Sequence, residues 1–123
     1  VVKGWVDADG QLSEKVFDVA WSDGARRQPD PNTGRLPAVG STVRLEDASW
    51  TNRIGASQLL TTWQDPQFDA AQPAFYYLRV LQIPTPRWSS YDAVRFGIKL
   101  SSEIPREIQE RAYTSPIWYK PPH

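Results

Sequence analysis

The stretch Ala74-Phe75-Tyr76-Tyr77-Leu78-Arg79-Val80-Leu81-Gln82 decides the fold class. Aromatic and branched apolar side chains dominate it, and such residues suit a pleated, half-buried surface. One charge interrupts the run. With Arg79 turned to solvent, alternation places Tyr76, Leu78 and Val80 inward. Pro84-Thr85-Pro86 closes the segment, because proline has no amide proton to offer a ladder. The stretch therefore reads as a strand bounded by breakers.

Similar units flank it. Toward the N-terminus, Val1-Val2-Lys3-Gly4-Trp5-Val6 leads into Asp7-Ala8-Asp9-Gly10, a strong turn signal. The return strand is expected over Lys15–Ser22, where Phe17, Val19 and Trp21 alternate with Asp18 and Ala20 and should face the core. Residues 23–41 are rich in Asp, Arg, Pro, Asn and Gly and read as a long loop. Val43–Leu45 and Ser49–Asn52 read as short strands, Gln58–Trp63 as a further strand or a helical turn, and Asp65-Pro66-Gln67-Phe68-Asp69 as a shaped turn. Toward the C-terminus, Ser89 and Asp92 match a capping box, and Gly97 can stop a helix in a left-handed conformation. That predicts a short helix near 90–96. Residues 98–106 read as loop, and Gln109–Thr114 with Pro116–Tyr119 as an interrupted last strand. The fold class that follows is mainly β: a sandwich-like or partial sandwich of short antiparallel strands, with long loops and one short helix.

Composition narrows the function. The 123 residues suit one domain, and six Trp, five Tyr and four Phe supply the apolar area for a core. The 14 basic and 14 acidic side chains cancel, which argues against a nucleic-acid partner, since such proteins need a basic face. No segment approaches the ~20 apolar residues of a membrane-spanning helix. Cysteine is absent, so thiolate nucleophiles, thiolate metal sites and disulfides are excluded. The chain opens without Met, inside an apparent strand, and is expected to be a C-terminal fragment of a larger protein.

Candidate chemistry is sparse. Asp7-Ala8-Asp9-Gly10 lacks the spacing of a calcium loop and reads as a hairpin turn. His123 is the sole histidine and the last residue, so no histidine triad or two-histidine zinc site can be assembled within the chain. Asp65, Asp69, Asp92, Glu107 and Glu110 could supply paired carboxylates, but turn formation and capping are simpler roles for them. Trp21 and Trp118 read as core; Trp50, Trp63 and Trp88 are not placed by the sequence, with core the default and a flat exposed row the mark of a binding surface. The densest constellation is Arg87, Trp88, Tyr91, Asp92 and Arg95, behind a stiff Pro84-Thr85-Pro86. Arginine forks grip carboxylates or phosphates, and aromatic rings stack on sugars or bases or seal an interface.

Several motifs carry a resemblance: Val2-Lys3-Gly4-Trp5, Glu14–Ser22, Ala74–Val80, Ile83–Trp88 and Arg111–Trp118. Together they resemble the C-terminal region of a bacterial family of unknown function. Its longer members begin with a domain similar to the polymerase-and-histidinol-phosphatase (PHP) metal-dependent phosphoesterases. The resemblance implies a terminal hairpin of a sandwich-like accessory region, with residues 1–123 as a single β-rich C-terminal domain and about 83–108 as a loop insertion. It places the metal ligands in the N-terminal part, so no catalytic residue and no cofactor is expected in this chain, and a divalent metal is expected in the missing N-terminal domain.

The expectation is thus a non-catalytic accessory region that packs on the N-terminal domain of a metal-dependent hydrolase and shapes its active-site mouth through Arg87, Trp88, Tyr91, Asp92 and Arg95. The alternative is a carbohydrate- or protein-binding β-sandwich module. The missing N-terminal domain is the expected partner, with self-association through an exposed strand edge as a second contact. A periplasmic or otherwise extracytoplasmic location follows from the resemblance and the lack of cysteine.

Overall fold

A computed structural model of the chain describes residues 1–122. In chain order the elements are β1 (Val2–Val6), β2 (Leu12–Val16), β3 (Ala74–Tyr77), β4 (Arg79–Leu81), β5 (Thr85–Pro86), α1 (Trp88–Phe96), β6 (Glu107–Ile108), β7 (Arg111–Tyr113) and β8 (Ile117–Tyr119). Among the described residues the fold is mainly β, with antiparallel sheets not closed into a barrel and one short helix. Two compact units can be distinguished. Unit 1 takes in Val1–Ala20, Leu60–Val80 and the residues from Ala112 on; unit 2 takes in Trp21–Leu59 and Leu81–Arg111.

Unit 1 is built on a four-stranded antiparallel sheet in the order β2-β1-β3-β8. The β1–β2 hairpin forms where Asp7-Ala8-Asp9-Gly10 predicts it. The Asp7 Oδ1 accepts the amides of Asp9 (3.0 Å) and Gln11 (2.8 Å), and Gly10 takes a left-handed φ of 77°. This tight loop sets the return strand at Leu12–Val16 rather than at Lys15–Ser22. Phe17 and Val19 are half-buried beyond its end, and Trp21 lies in unit 2. Register then divides the side chains. Val2 and Gly4 share one face with Tyr77, Phe75 and Trp118; Lys3 shares the other with Lys15, Tyr76 and Ile117. Val2 is fully buried and Ala74 nearly so.

The strand that decides the fold class is two strands. β3 pairs with β1 and β8, whereas β4 pairs with β7, and the change of partner falls at Leu78. There the Leu78 amide donates to Thr114 Oγ1 (3.0 Å) and the Thr114 amide donates to Leu78 O (3.1 Å). Alternation across the break fails: Leu78 and Val80 are exposed and Arg79 is half-buried, the reverse of the expectation. A period-two pattern assumes one continuous pleat, and a side chain beside a bend does not keep it.

Unit 2 has little regular structure besides α1. β5 pairs with β6, and Arg44 and Ser49 form an isolated bridge where two short strands were expected. Gln58–Trp63 forms no strand. Among the described residues no helix is long and apolar enough to cross a membrane.

Candidate functional site

The residues Trp88, Tyr91, Asp92 and Arg95 occur at positions i, i+3, i+4 and i+7 of α1, which places them on one stripe of the helix. All four are exposed, Trp88 by 66%. The opposite side of the helix anchors it. Ser89 Oγ donates to Pro105 O (3.0 Å) and Ser90 Oγ to Arg106 O (2.7 Å), and both serines are buried. The Arg87 amide donates to Arg106 O (2.9 Å), so the segment is tied down on both sides of the helix start.

This anchoring corrects the expected capping box. The N-cap position is Arg87, with no side-chain cap, and Ser89 already lies inside the helix with its hydroxyl engaged elsewhere. Asp92 is therefore released from a capping role. The C-terminal stop holds as predicted: Gly97 is left-handed (φ 63°) and its amide reaches Ala93 O.

The charges of the stripe are uncommitted. Among the described residues neither Arg87, Arg95 nor Asp92 takes part in an ion pair. The Arg87 guanidinium sits 5.8 Å from the Trp88 ring centre, and that of Arg95 5.5 Å from the Phe96 ring, contacts that hold a cation without using its hydrogen-bond fork. All five sequence candidates thus fall within one nine-residue helix and its first flank. On the side of the helix away from the stripe lies an open cleft of about 360 Å³, lined by Leu45, Glu46, Val94, Lys99 and Arg106 among others.

A second feature, in unit 1, is aromatic. Phe75 stacks on Tyr77 (6.4 Å, 9°) and meets Trp118 at 5.2 Å, and Tyr77 meets Tyr113 at 6.2 Å. With Thr114 and Pro116 these rings line a wide, shallow cleft of about 390 Å³. Trp118 is 66% exposed, which overturns its reading as core. It belongs to β8, at the end of the sheet order β2-β1-β3-β8. Trp50, Trp63 and Trp88 form neither a fully exposed nor a fully buried set: Trp50 and Trp88 are exposed, and Trp63 is half-buried against Phe17 (5.1 Å) and Tyr76 (6.4 Å).

Sequence reasoning missed a buried polar cluster in unit 1. Lys3 is 3% exposed, and its Nζ donates to Asp65 Oδ2 (2.6 Å) and Gln67 O (2.8 Å). Tyr76 donates its hydroxyl to the same Oδ2 (2.8 Å). Burial opposes ionisation of Asp65, yet the hydrogen bonds from Lys3, the Gln67 amide and Tyr76 outweigh it and hold the carboxyl below its ordinary range. Burial and the neighbouring carboxylate push the Tyr76 phenol up to about 12. The Lys3 ammonium also lies 5.3 Å from the Trp5 ring and 5.7 Å from that of Tyr76. The one available signal was Lys3 alternating between Val2 and Gly4 in an apolar strand; its partner lies 62 residues away.

Asp69 serves a local turn, accepting the Ala71 amide (2.8 Å), whereas Glu107 accepts the hydroxyl of Ser41 (2.7 Å), 66 residues away. Among the described residues no group of three or more His, Cys, Asp or Glu is placed to hold a metal ion. His123 lies outside the described residues. A family model described as a protein of unknown function (DUF3604) matches residues 1–121. No curated protein and no solved structure matches the chain.

Proposed function

We propose that this chain, which belongs to the DUF3604 family of proteins of unknown function, is a non-catalytic accessory region of a larger metal-dependent hydrolase of the PHP type. In that protein the metal-bearing catalytic part lies outside this chain, and its chemistry is attack of metal-activated water on a phosphate or related ester. The accessory region packs on the catalytic part and offers α1 to the substrate side. One observation carries this reading: Trp88, Tyr91, Asp92 and Arg95 form a single exposed stripe on a helix whose other side is tied down by Ser89 and Ser90. Two aromatic rings and uncommitted guanidinium groups on a rigid mount suit recognition of an anionic, partly apolar substrate.

The test uses the longer protein, with an aryl phosphate ester as generic substrate. Arg95→Ala combined with Trp88→Ala is expected to lower kcat/KM by about tenfold or more, the size of one lost charge-assisted contact. The melting temperature should stay within a degree or two, since both side chains are exposed. Unchanged turnover and unchanged KM in the double variant would remove α1 from the active-site mouth.

The open aromatic cleft of unit 1 favours a second reading, a carbohydrate- or protein-binding module. Titration of the chain with soluble oligosaccharides, read by tryptophan fluorescence and repeated with Trp118→Ala, separates the two. Saturable binding that Trp118→Ala abolishes would favour the module.

A further inference from the structure

The four-stranded sheet ends in two different edges. At one end β2 carries Glu14 and Lys15 beside an 86% exposed Leu12. At the other, β8 is Ile117-Trp118-Tyr119, with no charge and no proline within it. Among the described residues the backbone of Ile117–Tyr119 has no ladder partner besides β3. An uncharged, exposed edge strand is a template for another strand.

We infer that β8 pairs antiparallel with β8 of a second copy of this chain, about a two-fold axis through Trp118. The occupant follows from register. A two-fold axis normal to a sheet opposes residues placed symmetrically about its centre. On β8 the centre is Trp118, so Trp118 opposes Trp118 of the second copy and Ile117 opposes Tyr119. Every opposed pair is apolar or aromatic, the combination that stabilises cross-strand neighbours. On β2 the same operation is centred on Glu14. It opposes Glu14 to its own copy and leaves like charges in contact, so that edge rejects itself.

The pairing also extends a feature already built. Phe75 lies beside Trp118 on one face, so the joined sheets carry the row Phe75, Trp118, Trp118 and Phe75 across the axis. Pro116 and Pro121 bracket β8 and confine the pairing to the short strand. Because the far edges are the charged β2 strands, the assembly closes as a dimer and does not grow into a filament.

Sedimentation of the full 123-residue chain across about 1 µM to 1 mM should show a monomer–dimer equilibrium. Trp118→Lys should abolish the dimer, because it opposes two ammonium groups at the axis; Leu12→Lys should leave it intact. Far-UV circular dichroism checks that both variants fold. A covalent test does not depend on the lysine variant folding. The chain has no cysteine, and opposed residues in an antiparallel pair have Cα atoms about 4.5–5.5 Å apart, within disulfide reach. Under mild oxidation Trp118→Cys should cross-link about tenfold faster or more than Leu12→Cys, because the axis raises its effective concentration. A chain that stays monomeric throughout, a dimer that survives Trp118→Lys but not Leu12→Lys, or equal cross-linking rates would each overturn the β8 pairing.

Discussion

The two units are held by different physics. Unit 1 depends on side chains: a buried ammonium, the carboxylate that neutralises it and a phenol that shares the carboxylate all meet on one face of the sheet. Unit 2 depends on backbone. Of the described residues with left-handed φ, only Gly10 belongs to unit 1; Asp23, Gly34, Gly40, Ala48, Gly55 and Gly97 all belong to unit 2. Its loops are closed by amides and hydroxyls bonding to carbonyls and to Asp side chains, as where Asp30 Oδ1 accepts the amides of Asn32 and Thr33. A unit pinned by one charge cluster is sensitive to the loss of a single group. A unit pinned by many local turns loses stability in small steps.

The largest expected effect therefore lies at Lys3. Its ion pair with Asp65 has side-chain exposures of 4% and 5%. Lys3→Met keeps the aliphatic stem and leaves Asp65 buried without its cation, which costs about 3–5 kcal/mol. That is a large share of the 5–15 kcal/mol typical of a domain. Urea unfolding of wild type and variant measures it. A loss below about 1 kcal/mol would show that Gln67 and Tyr76 satisfy Asp65 without Lys3, and the contrast between the units would fall with it.

A smaller effect, with a pH signature, belongs to Tyr76. Tyr76→Phe removes one hydrogen bond to an ionised group and is expected to cost about 2 kcal/mol near neutral pH. The sign on the alkaline side follows from the raised phenol, since the folded state holds the proton more tightly than the unfolded chain. That contribution is complete below pH 10 and is lost as pH rises toward about 12. Asp65 acts in the opposite direction. Its depressed carboxyl contributes stability above the ordinary value of 3.8, and this is lost as pH falls through the lower folded value. Thermal melts between pH 10 and 12 should fall more steeply for wild type than for Tyr76→Phe; parallel curves would place the phenol outside the coupling.

These contrasts explain what could be read from the sequence. Local signals survive into the structure: Asp7-Ala8-Asp9-Gly10 makes its turn, Gly97 stops the helix, and aromatic crowding marks β3. The residues of the α1 stripe were legible as a dense set behind Pro84-Thr85-Pro86, but not as a stripe, because the helix was expected only near 90–96 and in fact starts at Trp88. What failed depended on distant partners. The break at Leu78 exists because Thr114 competes for its backbone, and the capping box fails because Pro105 takes the Ser89 hydroxyl. Lys3 could not be assigned as buried before Asp65 was known to meet it. The aromatic cleft of unit 1 went unread for the same reason, since Phe75 and Trp118 become neighbours only through the β3–β8 register.

The smallest effect tests the backbone side of the comparison. Gly97 ends α1 at φ 63° with its amide on Ala93 O, and a Cβ built there would meet no atom within 4 Å. Gly97→Ala therefore adds no clash, and its cost is conformational alone, about 1 kcal/mol for an alanine forced left-handed. Gly97→Asn should cost less, because asparagine tolerates that region. Gly4 is the counterpart in unit 1. A Cβ at Gly4 would lie 2.3 Å from the Phe75 ring, so Gly4→Ala must displace an aromatic side chain from the face that carries Trp118. If chemical denaturation ranks Ala above Asn in cost at position 97, unit 2 is limited by backbone conformation. Equal costs there would mean that the left-handed turn is not what ends the helix, and Ser89 and Ser90 would carry the placement of α1.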